Sequence, residues 1–282
     1  MSLPDFSIIP AGEGIWHEFS ARDFVRVRAT LTEETAFIVW QGAIYSLVPG
    51  EKKQHLFDIV GMSAARCLAH PEGGWDFTSR ELLFYLDPKS GELLHRWQNP
   101  WTEETVTVVH VANSPVQGRF RHPFPALVTP QTTTFIFDLF PNYPNALATD
   151  PKFQDYSPQA LYQAVELFKL TVPTVEILNP DPPSIENLLL AWSRIGPWLP
   201  WMKMGARPGQ MIYSASGRKV MEVLALPRLI QQQIETRLPL FSQAPSQKLD
   251  TEDMTSWRYF AQNFEAYLAN EQFPLPAPND SN

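Results

Sequence analysis

Three side chains open a chemical reading of this sequence: His110, inside WQNPWTEETVTVVHVAN (97–113), and Glu81 and Tyr85, inside WDFTSRELLFYL (75–86). An extended chain turns successive side chains to opposite faces. Val106, Val108, His110 and Ala112 then fall together, while Glu81 and Tyr85 share a face with Trp75, Phe77, Ser79 and Leu83. If the two faces meet at a closed cavity, the three groups form a candidate catalytic set: Glu81 as base, His110 as relay, and Tyr85 as donor to a developing oxyanion. Blander roles compete with this one. His110 is equally explained by a single core hydrogen bond, and Glu81 by a buried salt bridge to Arg66 or Arg80.

Around that set, Trp40, Arg66, Trp97, Trp101 and Asn113 are the candidate substrate-binding residues. The clamp WQNPW, with the later WLPWMKM (198–204), would supply an aromatic wall for a flat or greasy molecule. Aromatics beside prolines also cap barrel ends with no ligand present, and Asn99 and Asn113 stand where turn-formers stand. Cys67 follows Arg66, yet it lies in a strand-like run where a thiol is ordinarily inert.

Several chemistries find no motif. The six histidines show neither HxH nor HExxH spacing, so no metal site is expected. GxSxG, a strand-following GxGxxG and a Walker-type GK[ST] are all absent from the sequence, and no cofactor is expected. One cysteine excludes an internal disulfide, and a net charge of −8 opposes nucleic acid as a partner. No run of roughly 18 apolar residues is present for a membrane span, and MSLPDFSIIPAGEG lacks a basic start followed by an apolar core. The expectation is a cytoplasmic protein; an oligomer remains open.

The elements that must position these groups follow from period and punctuation. Thr35 to Leu47, His55 to His70 and Trp75 to Leu86 read as strands, separated by PGE and PEGG. Asp87-Pro88-Lys89-Ser90-Gly91 predicts a hairpin turn with strands pairing before and after it, and TTTFIFDLF predicts a further strand. After residue 150 the spacing predicts helices: one led by Ser157-Pro158 with Leu161, Val165 and Phe168, one over IENLLLAWSRI, and one over PRLIQQQIETRL. QMIYSASGRKVMEVLAL predicts a late hairpin around Ser216-Gly217, and Thr251 to Asn270 a C-terminal amphipathic helix.

The phrases AARC, SRELLFYLDPKSGE, NPWTEETVTVVHVAN and IGPWLPWMKMGARPGQMIY, spanning Ala64 to Tyr213, together resemble a bacterial family, common in cyanobacteria. It is domain-of-unknown-function family number eighteen thirty-eight. The resemblance carries over no activity or ligand.

The expected fold is α+β: an antiparallel, barrel-like (calycin-like) β-sheet with flanking helices. Residues 1–273 are expected to form a single domain, strand-rich over 15–145 and helix-rich with a late hairpin over 150–273, and 274–282 a flexible tail. Both faces of Thr35 to Leu47 are apolar, which suits a closed interior with a covered exterior. Three functions are expected to compete. The first is binding of a small hydrophobic or aromatic molecule, pigment- or lipid-like, in the barrel cavity. The others are a cofactor-free acid/base enzyme (isomerase, cyclase or lyase) and an assembly factor using aromatic surface patches.

Overall fold

A computed structural model describes residues 13–276 of the chain. β1 (Ile15–Phe19) and α1 (Ala21–Arg28) lead into three long strands, β2 (Ala36–Leu47), β3 (His55–Ala69) and β4 (Trp75–Leu86). A two-stranded ribbon, β5 (Arg96–Gln98) and β6 (Thr105–Thr107), precedes β7 (Val111–Phe120), β8 (Phe124–Val128) and β9 (Thr132–Leu139). A second ribbon, β10 (Asn142–Pro144) and β11 (Leu161–Gln163), precedes β12 (Val165–Pro173), α2 (Thr174–Leu178), β13 (Leu189–Gly196) and β14 (Gln210–Val220). Three helices follow: α3 (Arg228–Thr236), α4 (Ser256–Gln262) and α5 (Phe264–Leu268).

Ten strands make one antiparallel sheet in the order β1-β8-β9-β12-β13-β14-β2-β3-β4-β7, curled into a half-barrel. The expected α+β, barrel-like architecture is therefore present. Its two faces differ. Inward positions alternate with outward ones along β14, where Met211, Tyr213, Ala215 and Lys219 are buried while Gln210, Ser214 and Ser216 are exposed. Along β2 to β4 the outward face is buried too, because α3 and the segment to Phe241 cover Phe37, Val39, Val60, Met62, Leu82 and Phe84.

Helices fill both ends of the concave side. At one end α1 sets Phe24 and Val27 against strands from β1 round to β2, including Phe19, Phe135, Leu170, Leu190 and Ile38. Ser20 caps that helix by accepting from the Asp23 amide. Buried Lys219 donates to the Arg26 and Ala29 carbonyls at its C-terminal end, the end that favours a cation. Burial, with the Arg28 charge nearby, lowers that ammonium to about 7. Arg26, fully buried, donates to the carbonyls of Glu176, Ile177, Asn179 and Pro182 and so ties α1 to α2. At the other end Trp198, Trp201, Met202, Trp257, Phe260 and Tyr267 close over β2, β3, β4 and β14.

The structure corrects several predicted elements. Leu161, Val165 and Phe168 lie on strands β11 and β12, and IENLLLAWSRI contains strand β13. Both segments also alternate with period two: Glu166, Phe168, Leu170 and Val172 share one face, as do Leu190, Trp192 and Arg194, and the sheet selects that period. Ser157 is no helix cap; its hydroxyl accepts from Asn145 Nδ2 and Trp257 Nε1. The late hairpin is one continuous strand, β14. Gly217 marks a close approach and not a turn, since a Cβ there would stand 2.2 Å from the Val39 carbonyl oxygen.

The helix predicted over Thr251 to Asn270 is two short helices broken at Asn263, while the helix in PRLIQQQIETRL forms as expected. The Asp87 to Gly91 turn also forms, its carboxylate accepting from the Lys89 and Ser90 amides. The chain after it joins β4 only at a Leu86 to Leu93 bridge; β5 pairs with β6, and β4 pairs with β7. Val108 to His110 lie between β6 and β7, outside either strand. At the start of the predicted tail, Arg237 donates to the Pro274 carbonyl and the Leu275 amide donates to the Tyr259 hydroxyl; 277–282 fall outside the described residues.

Candidate functional site

The concave face holds a partly open cavity of about 470 Å³ between the two helical ends. β2, β4, β7, β9, β12, β13 and β14 all contribute to its wall, and Asp253 to Trp257 roof it. Trp40, Leu83, Phe168, Leu190, Trp192 and Leu199 make much of it apolar. Trp40 fits because its partner across the β2–β3 ladder is Gly61, whose missing side chain would meet the indole at 2.5 Å.

Of the residues singled out in the sequence, Glu81, Tyr85, Trp40 and Asn113 line this cavity. Glu81 and Asn113 are register partners across β4 and β7, and the Asn113 amide donates to the Glu81 carboxylate at 3.5 Å. The ladder slips beside them, opposite Pro115, which has no amide hydrogen to give. Burial raises the Glu81 carboxyl above the usual carboxylate value, with the Arg28 guanidinium opposing. Burial holds the Tyr85 phenol well above its usual value, with the neighbouring Tyr213 adding to the shift and Arg194 opposing it, and burial pushes the Tyr213 phenol up to about 12.

The other four stand elsewhere. His110 is 1% exposed and lies outside the cavity wall, behind Tyr85. Its Nδ1 accepts the Tyr85 amide, its Nε2 is buried without a hydrogen-bond partner, and burial pushes its pKa down to about 3. Arg66 projects from the other face of β3 than Ile59 and Ser63. Trp97 packs on Phe57 and Trp201, and Trp101 packs on Trp198 while its indole donates to Glu51. Both belong to the end cap. Asn99, wholly buried, donates to the Met202 carbonyl and accepts from the Trp101 and Thr102 amides, closing that turn.

Residues from the segments read as helix and hairpin complete the wall. Arg194, 7% exposed, donates to the Tyr162 hydroxyl at 2.9 Å and pairs with Glu166 at 3.5 Å. Its guanidinium lies 4.9 Å from the centre of the Tyr213 ring. Glu166 also accepts from Trp192 Nε1. The period-two pattern of LLAWSRIG was the available signal, placing Trp192 and Arg194 on one face with Leu190.

Among the described residues, no group of three or more His, Cys, Asp or Glu side chains could hold a metal ion. Cys67 is buried, and burial pushes its thiol up to about 12.

Compared with known protein families, residues 33–264 match one described as "Protein of unknown function (DUF1838)". The chain belongs to this family. The match runs from the turn before β2 to the first residue of α5, so it takes in every cavity-lining residue named above. No curated protein matches the chain. Among the described residues, no helix is long and apolar enough to cross a membrane.

Proposed function

We propose that the half-barrel cavity binds a small hydrophobic or aromatic molecule. The observation that carries this is the cavity itself: its volume is that of a small-molecule site, and a largely apolar wall meets a few convergent polar groups. Trp40 and Trp192, whose rings meet edge to face 6.1 Å apart, form a joint aromatic surface of the wall that suits a flat ring system. The single cysteine fits a cytoplasmic setting for this role.

Native mass spectrometry and an absorption spectrum of the freshly purified protein test this. A small-molecule adduct is expected in the wild type and its loss in Leu190→Trp, which fills the cavity. A protein that carries no adduct and takes up no apolar probe in either form overturns the proposal.

Acid/base catalysis on the bound molecule is a second reading, favoured by Glu81 with its raised pKa in the same wall as the Tyr85 and Tyr213 hydroxyls. Glu81 would take or return a proton and the phenol pair would receive developing negative charge. His110 enters this chemistry through Tyr85, whose backbone it holds. Turnover abolished in Glu81→Gln, with the adduct retained, is the expected result; unchanged turnover removes this reading and leaves the binding one.

A further inference from the structure

We propose that the molecule held in this cavity is an apolar, aromatic amine, its ammonium group paired with Glu81 and drawn further by Asp253. The proposal rests on the cavity reading above and adds the sign of the ligand's charge.

Charge is spread unevenly over the wall. The charged side chains that line it are Glu81, Glu166, Arg194 and Asp253, all but one of them acidic. Arg194 and Glu166 pair with each other at 3.5 Å, which leaves two carboxylates and no cation. Glu81 is half-buried, and among the described residues it has no ion-pair partner; the Asn113 amide reaches it only at 3.5 Å, the far end of hydrogen-bond range. Asp253 is half-buried as well, and its Oδ1 accepts the Gln117 amide. The cations nearby are engaged elsewhere: Arg28, behind the wall, donates to Ser63, and Arg258, in the neighbouring pocket beyond the roof, pairs with Glu252. Glu166 and Asp253 act on Glu81 as like charges and add to the burial that raises its carboxyl, against the pull of Arg28. A cation brought into the cavity offsets that repulsion and burial together.

The apolar part of the wall points the same way independently. Trp40 meets Trp192 edge to face and Phe168 stacks on Trp192 at 6.4 Å, and all three rings line the cavity and keep accessible surface. Aromatic faces attract a cation that has shed part of its water. This wall already seats one in that manner: the Arg194 guanidinium pairs with Glu166 and lies 4.9 Å from the centre of the Tyr213 ring. A ligand ammonium repeats the arrangement with Glu81 as its carboxylate. An anionic ligand would instead meet two carboxylates that no cation of the wall neutralises.

Three probes share one ring and differ in charge: 2-naphthylmethylammonium, 2-naphthylmethanol and 2-naphthoate. By calorimetric titration at pH 7, the ammonium compound is expected to bind about tenfold tighter than the alcohol, the worth of one hydrogen bond between charged partners. The naphthoate is expected to bind weakest. Glu81→Gln should bring the ammonium compound down to the affinity of the alcohol and leave the alcohol unchanged. Asp253→Asn keeps an acceptor for the Gln117 amide and removes only charge; it should narrow the gap in part, and it decides the matter if the Glu81 variant does not fold. Equal binding of ammonium and alcohol, tightest binding of the naphthoate, or an ammonium preference that survives undiminished in the variants overturns the proposal and leaves the cavity reading standing. Failure of all three probes to bind overturns both.

Discussion

The Tyr85 amide donates to His110 Nδ1 at 3.1 Å, and the two rings stack with centroids 5.7 Å apart. A cavity residue and a core histidine are thus one unit, and its proton balance is set by burial. Folded His110 sits near 3, against about 6.5 in an unfolded chain. The unfolded state therefore takes the proton first. Stability present above pH 6.5 is lost as pH falls towards 3, by up to about 4–5 kcal/mol from this group. His110→Asn keeps an acceptor for the Tyr85 amide but does not titrate. In urea unfolding at pH 7, 5 and 4, the wild type should lose its advantage over the variant step by step. Parallel pH curves would sink this assignment.

Gly217 and Gly50 separate two uses of glycine. At Gly217 an added methyl meets the Val39 carbonyl oxygen, backbone that cannot move without breaking the β14–β2 ladder. Gly217→Ala should cost more than about 3 kcal/mol or prevent folding. Gly50 has a φ of +80° and open space around it, so Gly50→Ala should cost only about 1 kcal/mol. Thermal denaturation of the two variants side by side decides the ranking.

Asn99 sits at the centre of the WQNPW turn with both ends of its amide engaged. Asn99→Ala leaves the Met202 carbonyl and two amides without their partner, and a loss of about 3 kcal/mol is expected by chemical denaturation. A loss below about 1 kcal/mol would show that the turn holds through the tryptophans alone.

Gln117 fastens the cavity roof. Its side chain donates to the Leu249 and Thr251 carbonyls and accepts the Leu249 amide, while the Met254 amide donates to the Pro115 carbonyl. Gln117→Ala should raise hydrogen exchange at the Leu249 and Met254 amides by about tenfold, with core strands unchanged. Exchange that rises equally across the sheet would mean that Gln117 supports the whole fold and not the roof.

The first half of the chain was legible because period and punctuation agree there. PGE, PEGG and DPKSG bound runs whose alternation puts Glu81 beside Tyr85, and both do face the cavity. The second half misleads because Leu161, Val165 and Phe168 satisfy a helical spacing while their neighbours satisfy a strand's. Which period wins depends on partners far away in sequence: β12 is extended because β9 and β13 flank it. The same distance hid half of the site. Arg194 acquires meaning only through Tyr162, Glu166 and Tyr213, whose approach is a matter of register. His110 drew notice by its residue type, yet the break after β6 places its ring behind Tyr85, a bend that no local signal announces.

The ladder between β14 and β2 joins an early strand to a very late one. During synthesis β2, β3 and β4 can zip together soon after they emerge, but the free edge of β2 must wait for almost all of the remaining sheet before β14 covers it. For that interval the nascent chain exposes an unpaired apolar strand. The half-barrel sheet is therefore expected to be joined last at this interior ladder, and the interval before it forms is when misassembly is expected.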